Sequence, residues 1–186
     1  MKKLGIFLTA IVLASGLLAQ DFSANNQSSK DKRARLKEQR NAEIAMEYAA
    51  TSNMLDSMSF VLEAYNLRDE WGHLVTVPSN LNFIMVDSTK SVIQIGSNTR
   101  LGANGVGGVT AKGTVSNWKL IKEEKHKSFT LFMTVSTPIG IYDVSMFINA
   151  DGNVTATISG INPGKLIYEG ALVPLANSRV FEGQSI

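Results

Sequence analysis

The chain has 186 residues, carries 18 Lys and Arg against 16 Asp and Glu, and contains no Cys. Its formal net charge of +2 comes entirely from Lys2 and Lys3, because no acidic residue precedes Asp21. Without its first 19 residues the chain is formally neutral, which argues against a nucleic-acid-binding protein. The lack of Cys excludes disulfides, thiolate nucleophiles and cysteine-ligated zinc.

Residues 1–19 have the three parts of a secretory signal peptide. Lys2 and Lys3 form a positively charged start, an apolar stretch runs from Leu4 to Leu18, and small or neutral residues surround Ala19. The apolar stretch is interrupted and is shorter than the roughly 20 residues that a membrane span requires. We therefore expect cleavage near Ala19 and a periplasmic or extracellular protein; an uncleaved membrane anchor is the alternative.

The next segments predict a leader and a helix. Residues 20–30 are small and polar without an apolar period, which is typical of a flexible leader. A helical pattern then runs from Lys30 to about Asn53, and residues 31–186 are predicted to form one helix-plus-β domain. The early helix turns are basic, which indicates either an ordinary solvated face or a docking site for acidic lipid, polysaccharide or a partner; the residues are Lys30, Lys32, Arg33, Arg35, Lys37 and Arg40.

Beyond Gly72 every candidate segment alternates with the period of a strand. Residues 58–66 fit either the helix end or a first strand, whereas the runs at 129–135, 144–148 and 154–158 alternate cleanly. Short turns rich in Pro, Gly and Asn separate them, so neighbouring strands must pair antiparallel. The sequence predicts a mainly β fold, an antiparallel meander of about seven or eight strands closed as a sandwich or barrel, with an N-terminal helix.

A glycine-rich loop at residues 102–108 is the most unusual stretch. It lacks the Lys and Ser or Thr of a phosphate-binding loop, and a strand rather than a helix is predicted after it. A flap or rim over the sheet fits better, because long loops of this kind often serve function. Asn104, Gly105 and Gly107 are therefore candidate ligand-binding residues.

Two tryptophans complete the candidate site. Trp71 and Trp118 are each able to line a groove that stacks a ligand, although burial in the core is the commoner fate of an aromatic side chain. The only imidazoles, His73 and His126, have no second His nearby, and the Asp151 turn lacks the calcium-loop pattern. We predict no catalytic residue, no metal site and no cofactor.

Several segments resemble the bacterial domain-of-unknown-function family 4251. The resemblance rests on the F-x-x-E-A pattern at residues 60–64, the run from Pro78 to Phe83, the glycine loop, Trp118-Lys119-Leu120, the 129–135 strand, residues 151–156 and Tyr168-Glu169-Gly170. It covers about residues 35–173. It implies an exported envelope protein of Bacteroidetes-like bacteria with a charged helix and a β-rich domain, and it brings no assigned catalytic residue.

These observations favour a non-enzymatic, exported β-domain that binds a small apolar ligand, a peptide or an envelope partner. One alternative is an interaction protein that docks a partner or membrane surface through the basic helix. A hydrolase with a dispersed acidic site is the least favoured hypothesis. The sequence contains no pattern that predicts an oligomeric state.

Overall fold

The computed structural model describes residues 10–97, 107–160 and 164–185, with side chains from residue 30 onward. In these ranges one α-helix is followed by nine strands and a single 3-10 turn at Leu175–Asn177. The elements are α1 (Ala10–Asp56), β1 (Ser59–Asp69), β2 (Leu74–Thr76), β3 (Phe83–Asp87), β4 (Lys90–Ile95), β5 (Val109–Glu123), β6 (Ser128–Thr137), β7 (Gly140–Asn149), β8 (Asn153–Gly160) and β9 (Lys165–Pro174). The ambiguous segment at 58–66 therefore belongs to the first strand from Ser59 onward.

Helix α1 is longer than its periodic pattern predicted. Residues 20–30, which we expected to be a flexible leader, are helical, and the sequence offers a reason, because neither Pro nor Gly occurs between Leu17 and Asp56. The chain divides into two compact units, residues 1–43 and residues 44–186. In the first unit the side chains from Lys30 to Glu43 are exposed. Among the described helices, none combines the length and apolar character needed to cross a membrane.

The strands of the second unit form one closed barrel. Successive strands from β3 to β9 pair antiparallel as a meander, and β1 pairs with both β3 and β9. This double pairing of β1 closes eight strands into a ring, and β2 is an additional strand paired with the far end of β1. The predicted antiparallel meander is confirmed, and the choice between sandwich and barrel is resolved in favour of a barrel.

The barrel interior holds the main hydrophobic core. The alternating positions at 129–135, 144–148 and 154–158 place their apolar members inside, as their period predicted. The fully buried side chains of this core include Phe60, Phe129, Leu62, Leu131, Met146 and Tyr168. An eight-stranded barrel has a lumen that is just filled by side chains or leaves room for one small ligand.

The last turns of α1 cover one end of the barrel, which we call the closed end. Leu55 is completely buried in the core, and the Tyr48 ring stacks on Phe129 with 4.5 Å between ring centroids. The Thr51 hydroxyl donates to the carbonyl oxygen of Ala150 in the β7–β8 turn at 3.1 Å. Lys122 forms an ion pair with Asp56 at 2.6 Å. This end of the lumen is therefore shut by apolar packing and polar contacts together.

The C-terminal segment lies on the outer face of the barrel. A second, small apolar cluster forms there from Val61, Phe83 and Val92, against which Leu175 and Val180 pack. The Ser178 hydroxyl donates to the Glu63 carboxylate at 2.6 Å. We call residues 175–183 the strap, because they run across β1, β3 and β4 and cover apolar residues that would otherwise face water.

Candidate functional site

An apolar cavity of about 570 Å³ occupies the end of the barrel opposite α1. We call this open end the mouth; it lies where β4, β6 and β8 end and β5, β7 and β9 begin. The described residues that line the cavity are mostly aliphatic: Ile93, Ile95, Val109, Ala111, Ile139, Gly140, Ile141, Tyr142, Ile158, Gly160, Gly164, Lys165, Leu166 and Tyr168. Its volume falls within the range of small-molecule sites, about 300–1,000 Å³.

Small residues at inward positions create this space. Ala111 faces Ile93 across the β4–β5 pair, and Gly160 faces Tyr142 across the β7–β8 pair. A Cβ atom on Gly160 would come within 3.2 Å of the Tyr142 ring, so the ring packs closely against this glycine. Larger side chains at positions 111 and 160 would fill the lumen at the mouth. At the closed end of the barrel, large apolar side chains do fill it.

The inner boundary of the cavity is formed by Tyr168. Its side chain is completely buried, and its hydroxyl donates to the backbone carbonyl oxygen of Gln94 at 3.2 Å. Burial raises the pKa of Tyr168 above its ordinary value of 10.0, because a phenolate would be desolvated there. The phenol is therefore neutral, and its proton is used in the hydrogen bond to the backbone of β4. Tyr168 presents its aromatic ring to the cavity.

The rim of the mouth carries exposed aliphatic side chains. Val109, Ile139 and Ile141 are 38%, 41% and 49% exposed. Single exposed apolar residues are ordinary, but a group that borders an apolar cavity is typical of a binding surface. These rim residues extend the aliphatic lining of the cavity to the surface of the barrel.

The start of the loop between β4 and β5 is held in place by a buried amide. Asn82 is completely buried; its Nδ2 donates to the Gly96 carbonyl oxygen at 3.0 Å, and its Oδ1 accepts from the Gly96 N–H at 3.0 Å. A Cβ atom on Gly108 would overlap the carbonyl oxygen of Ile95, so glycine is required where the loop returns. The two anchors fix the described ends of this rim loop next to the cavity.

Of the loop residues predicted to bind a ligand, Asn104 and Gly105 lie outside the described residues. Gly107 is described and has a φ of 76°, a conformation that favours glycine. It immediately precedes Gly108 and β5, so it lies beside the mouth. The role of these three residues in binding stays a prediction.

Trp71 is not among the described residues that line the cavity; it lies at the tip of the β1–β2 hairpin and is 77% exposed. The Asp69 carboxylate orders this tip by accepting the backbone N–H groups of Trp71 at 3.0 Å and His73 at 2.8 Å. It also contacts the His73 ring at 2.7 Å. Desolvation raises the pKa of Asp69, but the hydrogen bonds and charge of His73 and the Trp71 N–H outweigh it and hold that pKa below 3.8.

Trp118 packs into the core rather than lining a groove with Trp71. A β-bulge between Ser116 and Lys119 adds a residue to β5, and Asn117 adopts a φ of 52° within it. The extra residue reverses the alternation, so the Trp118 side chain packs against the barrel core, with its ring 6.3 Å from that of Phe60. The structure does not bring the two tryptophans together, and neither lines the cavity.

The two histidines lie in exposed turns. His73 contacts Asp69, and His126 lies 3.8 Å from the Glu123 carboxylate. Within the described part of the chain, no group of three His, Cys, Asp or Glu residues is arranged to hold a metal ion. The geometry therefore draws attention to the cavity, whose lining residues the sequence analysis did not select.

The match to a family model decides which proteins this chain is related to. The model described as "Domain of unknown function (DUF4251)" matches residues 42–172. The chain belongs to the DUF4251 family. The match confirms the resemblance that the sequence motifs indicated, and it covers α1 from residue 42 and all of β1 to β8.

A solved structure agrees with this assignment. The chain is similar to a DUF4251 family protein from Bacteroides eggerthii, with 30% identity and a TM-score of 0.62. The match covers 74% of this chain and 93% of that protein. No curated protein matches the chain. The comparisons therefore give the DUF4251 chain a family and a fold relative, and its activity has to be argued from its own residues.

Proposed function

We propose that this DUF4251 protein is an exported, non-enzymatic protein of the bacterial cell envelope that binds a small apolar molecule in the mouth of its barrel. The observation that carries the proposal is the cavity of about 570 Å³, lined by aliphatic residues and open at one end. Eight-stranded barrels with such a lumen are suited to hold a single small ligand.

The energetics of the mouth support this proposal. Water in contact with the cavity walls and with Val109, Ile139 and Ile141 gains few hydrogen bonds. An apolar ligand that replaces this water buries both its own surface and the rim, which is favourable by about 25 cal/mol per Å² of apolar surface removed from water. The closed end is already packed, so the stabilisation is available only at the mouth.

The test for binding is native mass spectrometry of the full chain purified under mild conditions, compared with two variants. Ala111→Phe fills the cavity from β5, and the matched control Thr114→Phe adds the same ring to an exposed position of the same strand. We expect a bound small molecule in the wild type and in T114F, and its loss in A111F. An unoccupied wild type, or equal occupancy in folded A111F, would contradict the proposal.

Two further measurements address export and chemistry. Export is supported by the pattern of residues 1–19, and N-terminal sequencing of the protein from the periplasm should then begin near Gln20. Incubation of the released ligand with fresh protein should return it chemically unchanged, as a binding protein requires. Protein confined to the cytoplasm, or a ligand converted to a new product, would overturn the corresponding part.

A second candidate function is docking through the basic helix. All six basic side chains between Lys30 and Arg40 are exposed, so they are available to an acidic partner or membrane surface. Deleting residues 21–40 separates the two functions: cavity binding should survive, and only the docking function predicts loss of envelope association. Unchanged association would remove this second candidate.

A further inference from the structure

We infer that the cavity takes a single-chain amphiphile with an anionic head group, which enters tail first and leaves its head at the mouth. The inference rests on the proposed function and gives the chemical class of its ligand. It follows from how polar and apolar groups are distributed between the inner boundary of the cavity and the rim.

Among the described lining residues, the side chains of the inner part of the cavity offer hydrocarbon and no available hydrogen-bond donor. Tyr168 donates its hydroxyl to Gln94, and the neighbouring lining residues Ile93 and Ile158 are aliphatic. A polar head placed here would lose its hydration without gaining a partner, which costs several kcal/mol for an uncharged group and more for a charge. The inner part therefore selects the apolar end of a ligand.

The mouth carries the polar side chains of the described lining, Tyr142 and Lys165. Tyr142 is half-buried, and among the described residues its hydroxyl has no hydrogen-bond partner. Lys165 is exposed and begins β9, and no described carboxylate lies within ion-pair distance of its ammonium group. Its long side chain is flexible enough to turn over the rim.

The charge of the lining identifies the head group. Lys165 is the one charged residue among the described lining residues. A lysine ammonium only donates hydrogen bonds, and a tyrosine hydroxyl with a free proton donates readily to an anion. The matching head group is an anionic acceptor, a carboxylate or a phosphate. A lumen of this volume, closed at its far end by α1, accommodates one alkyl chain rather than two.

The expected affinities follow from these contacts. Each methylene that the cavity removes from water should tighten binding about fourfold. The ion pair at the exposed rim contributes less, so the anionic head should improve binding about threefold over an alcohol of the same length. The head-group preference should weaken with added salt, because exposed charges are screened, whereas the chain-length dependence should not.

The experiment is a titration of the full chain below the micelle concentration of each ligand. One series compares octanoate, decanoate and dodecanoate; a second compares dodecanoate, dodecyl phosphate, dodecanol and dodecyltrimethylammonium. We expect affinity to rise with chain length and both anions to bind more tightly than the alcohol and the cation. The ratio between carboxylate and phosphate then distinguishes a fatty acid from a phosphorylated lipid.

The variants Lys165→Gln and Tyr142→Phe test the head-group contacts. Each should reduce binding of dodecanoate about threefold and leave dodecanol unchanged. Lys90→Gln, which removes an exposed lysine at the start of β4 near the closed end, is the matched control and should leave the binding of both ligands unchanged.

Two failures are distinguishable. Equal binding of dodecanoate, dodecanol and dodecyltrimethylammonium, or an unchanged preference in both variants, would overturn the anionic head and leave the apolar cavity site standing. If none of the alkyl ligands binds, and wild type and A111F show the same ligand occupancy, the proposed function itself would be overturned.

Discussion

The side chain of Gln94 donates a hydrogen bond of 2.8 Å to the carbonyl oxygen of Phe181 and so ties the C-terminal strap to the fourth strand of the barrel. Gln94 is completely buried. Its Nε2 also donates to Leu81, while its Oε1 accepts from the Thr110 hydroxyl and the Gly183 N–H. The backbone carbonyl of the same residue accepts the Tyr168 hydroxyl, so one residue touches both the strap and the inner boundary of the cavity.

Replacing Gln94 with Leu should release the strap. The change keeps a similar volume but removes the four hydrogen bonds of the side-chain amide, and we expect the free energy of unfolding to fall by about 3 kcal/mol. Amide exchange at Gly183 should accelerate. Glu182→Gln, which removes only the exposed ion pair with Lys112, should cost at most about 1 kcal/mol. Unchanged exchange at Gly183 in Q94L would contradict the role of this amide.

Tyr48→Phe should leave the protein as stable or make it more stable. The Tyr48 hydroxyl is buried and has no hydrogen-bond partner in the described part of the chain, while its ring stacks on Phe129. Removing the oxygen removes a desolvated polar atom and keeps the stack, so a gain of about 1 kcal/mol is expected in chemical denaturation. Tyr48→Ala, the comparison, should lose about 3 kcal/mol. A loss in Y48F as large as that in Y48A would show that the hydroxyl is bonded.

Gly170→Ala should disrupt the closure of the barrel. A Cβ atom at Gly170 would overlap the carbonyl oxygen of Glu63 and lie 2.8 Å from the Cα of Ala64, at the pairing of β1 with β9. Because backbone rather than a flexible side chain is in the way, we expect a loss of about 3 kcal/mol in the free energy of unfolding. The neighbouring Ala171→Gly, on the outer side of β9, should cost about 1 kcal/mol. Equal losses of stability in G170A and A171G would mean that the β1–β9 pairing tolerates a side chain at position 170.

The β1–β2 hairpin should loosen in acid. The pKa of Asp69 in the folded chain lies below its ordinary value of 3.8, so the hairpin gains stability above pH 3.8 that is lost as the pH falls through the lowered value. Trp71 fluorescence, recorded in a Trp118→Phe background, should report this transition. Asp69→Asn in the same background should abolish it. A transition that persists in the Asn variant would assign the change to another group.

Local patterns predicted the strands well because their physical cause is local. The alternation at 129–135 corresponds to a strand with one face in the core, and the turns at Pro138 and at Asp151-Gly152 are short enough to force antiparallel neighbours. The pairing of β1 with β9 has no such local signal. It depends on the curvature of the whole sheet, which is why periodicity alone left sandwich and barrel as equal alternatives.

The cavity was missed for a related reason. Ala111 and Gly160 occupy inward positions near strand ends, and no local sequence pattern marked either of them as part of a site. Only closure of the sheet places both on one lumen. In the same way, a single bulge at Asn117 turns the partly buried Trp118 toward the core. Small residues at inward positions close to the ends of several strands are the signal that would have indicated the site.

The closure of the barrel also determines when this chain can fold. Phe60 pairs with Pro174, and Asp69 pairs with Leu166. The pairing of β1 with β9 therefore cannot form until the last strand is available. Contacts between residues so distant in sequence slow folding, and until they form, the edges of β1 and β8 are open to pairing with other chains. During synthesis, a chain whose β9 has not yet left the ribosome therefore cannot form the complete barrel. Folding is completed only when this last strand pairs.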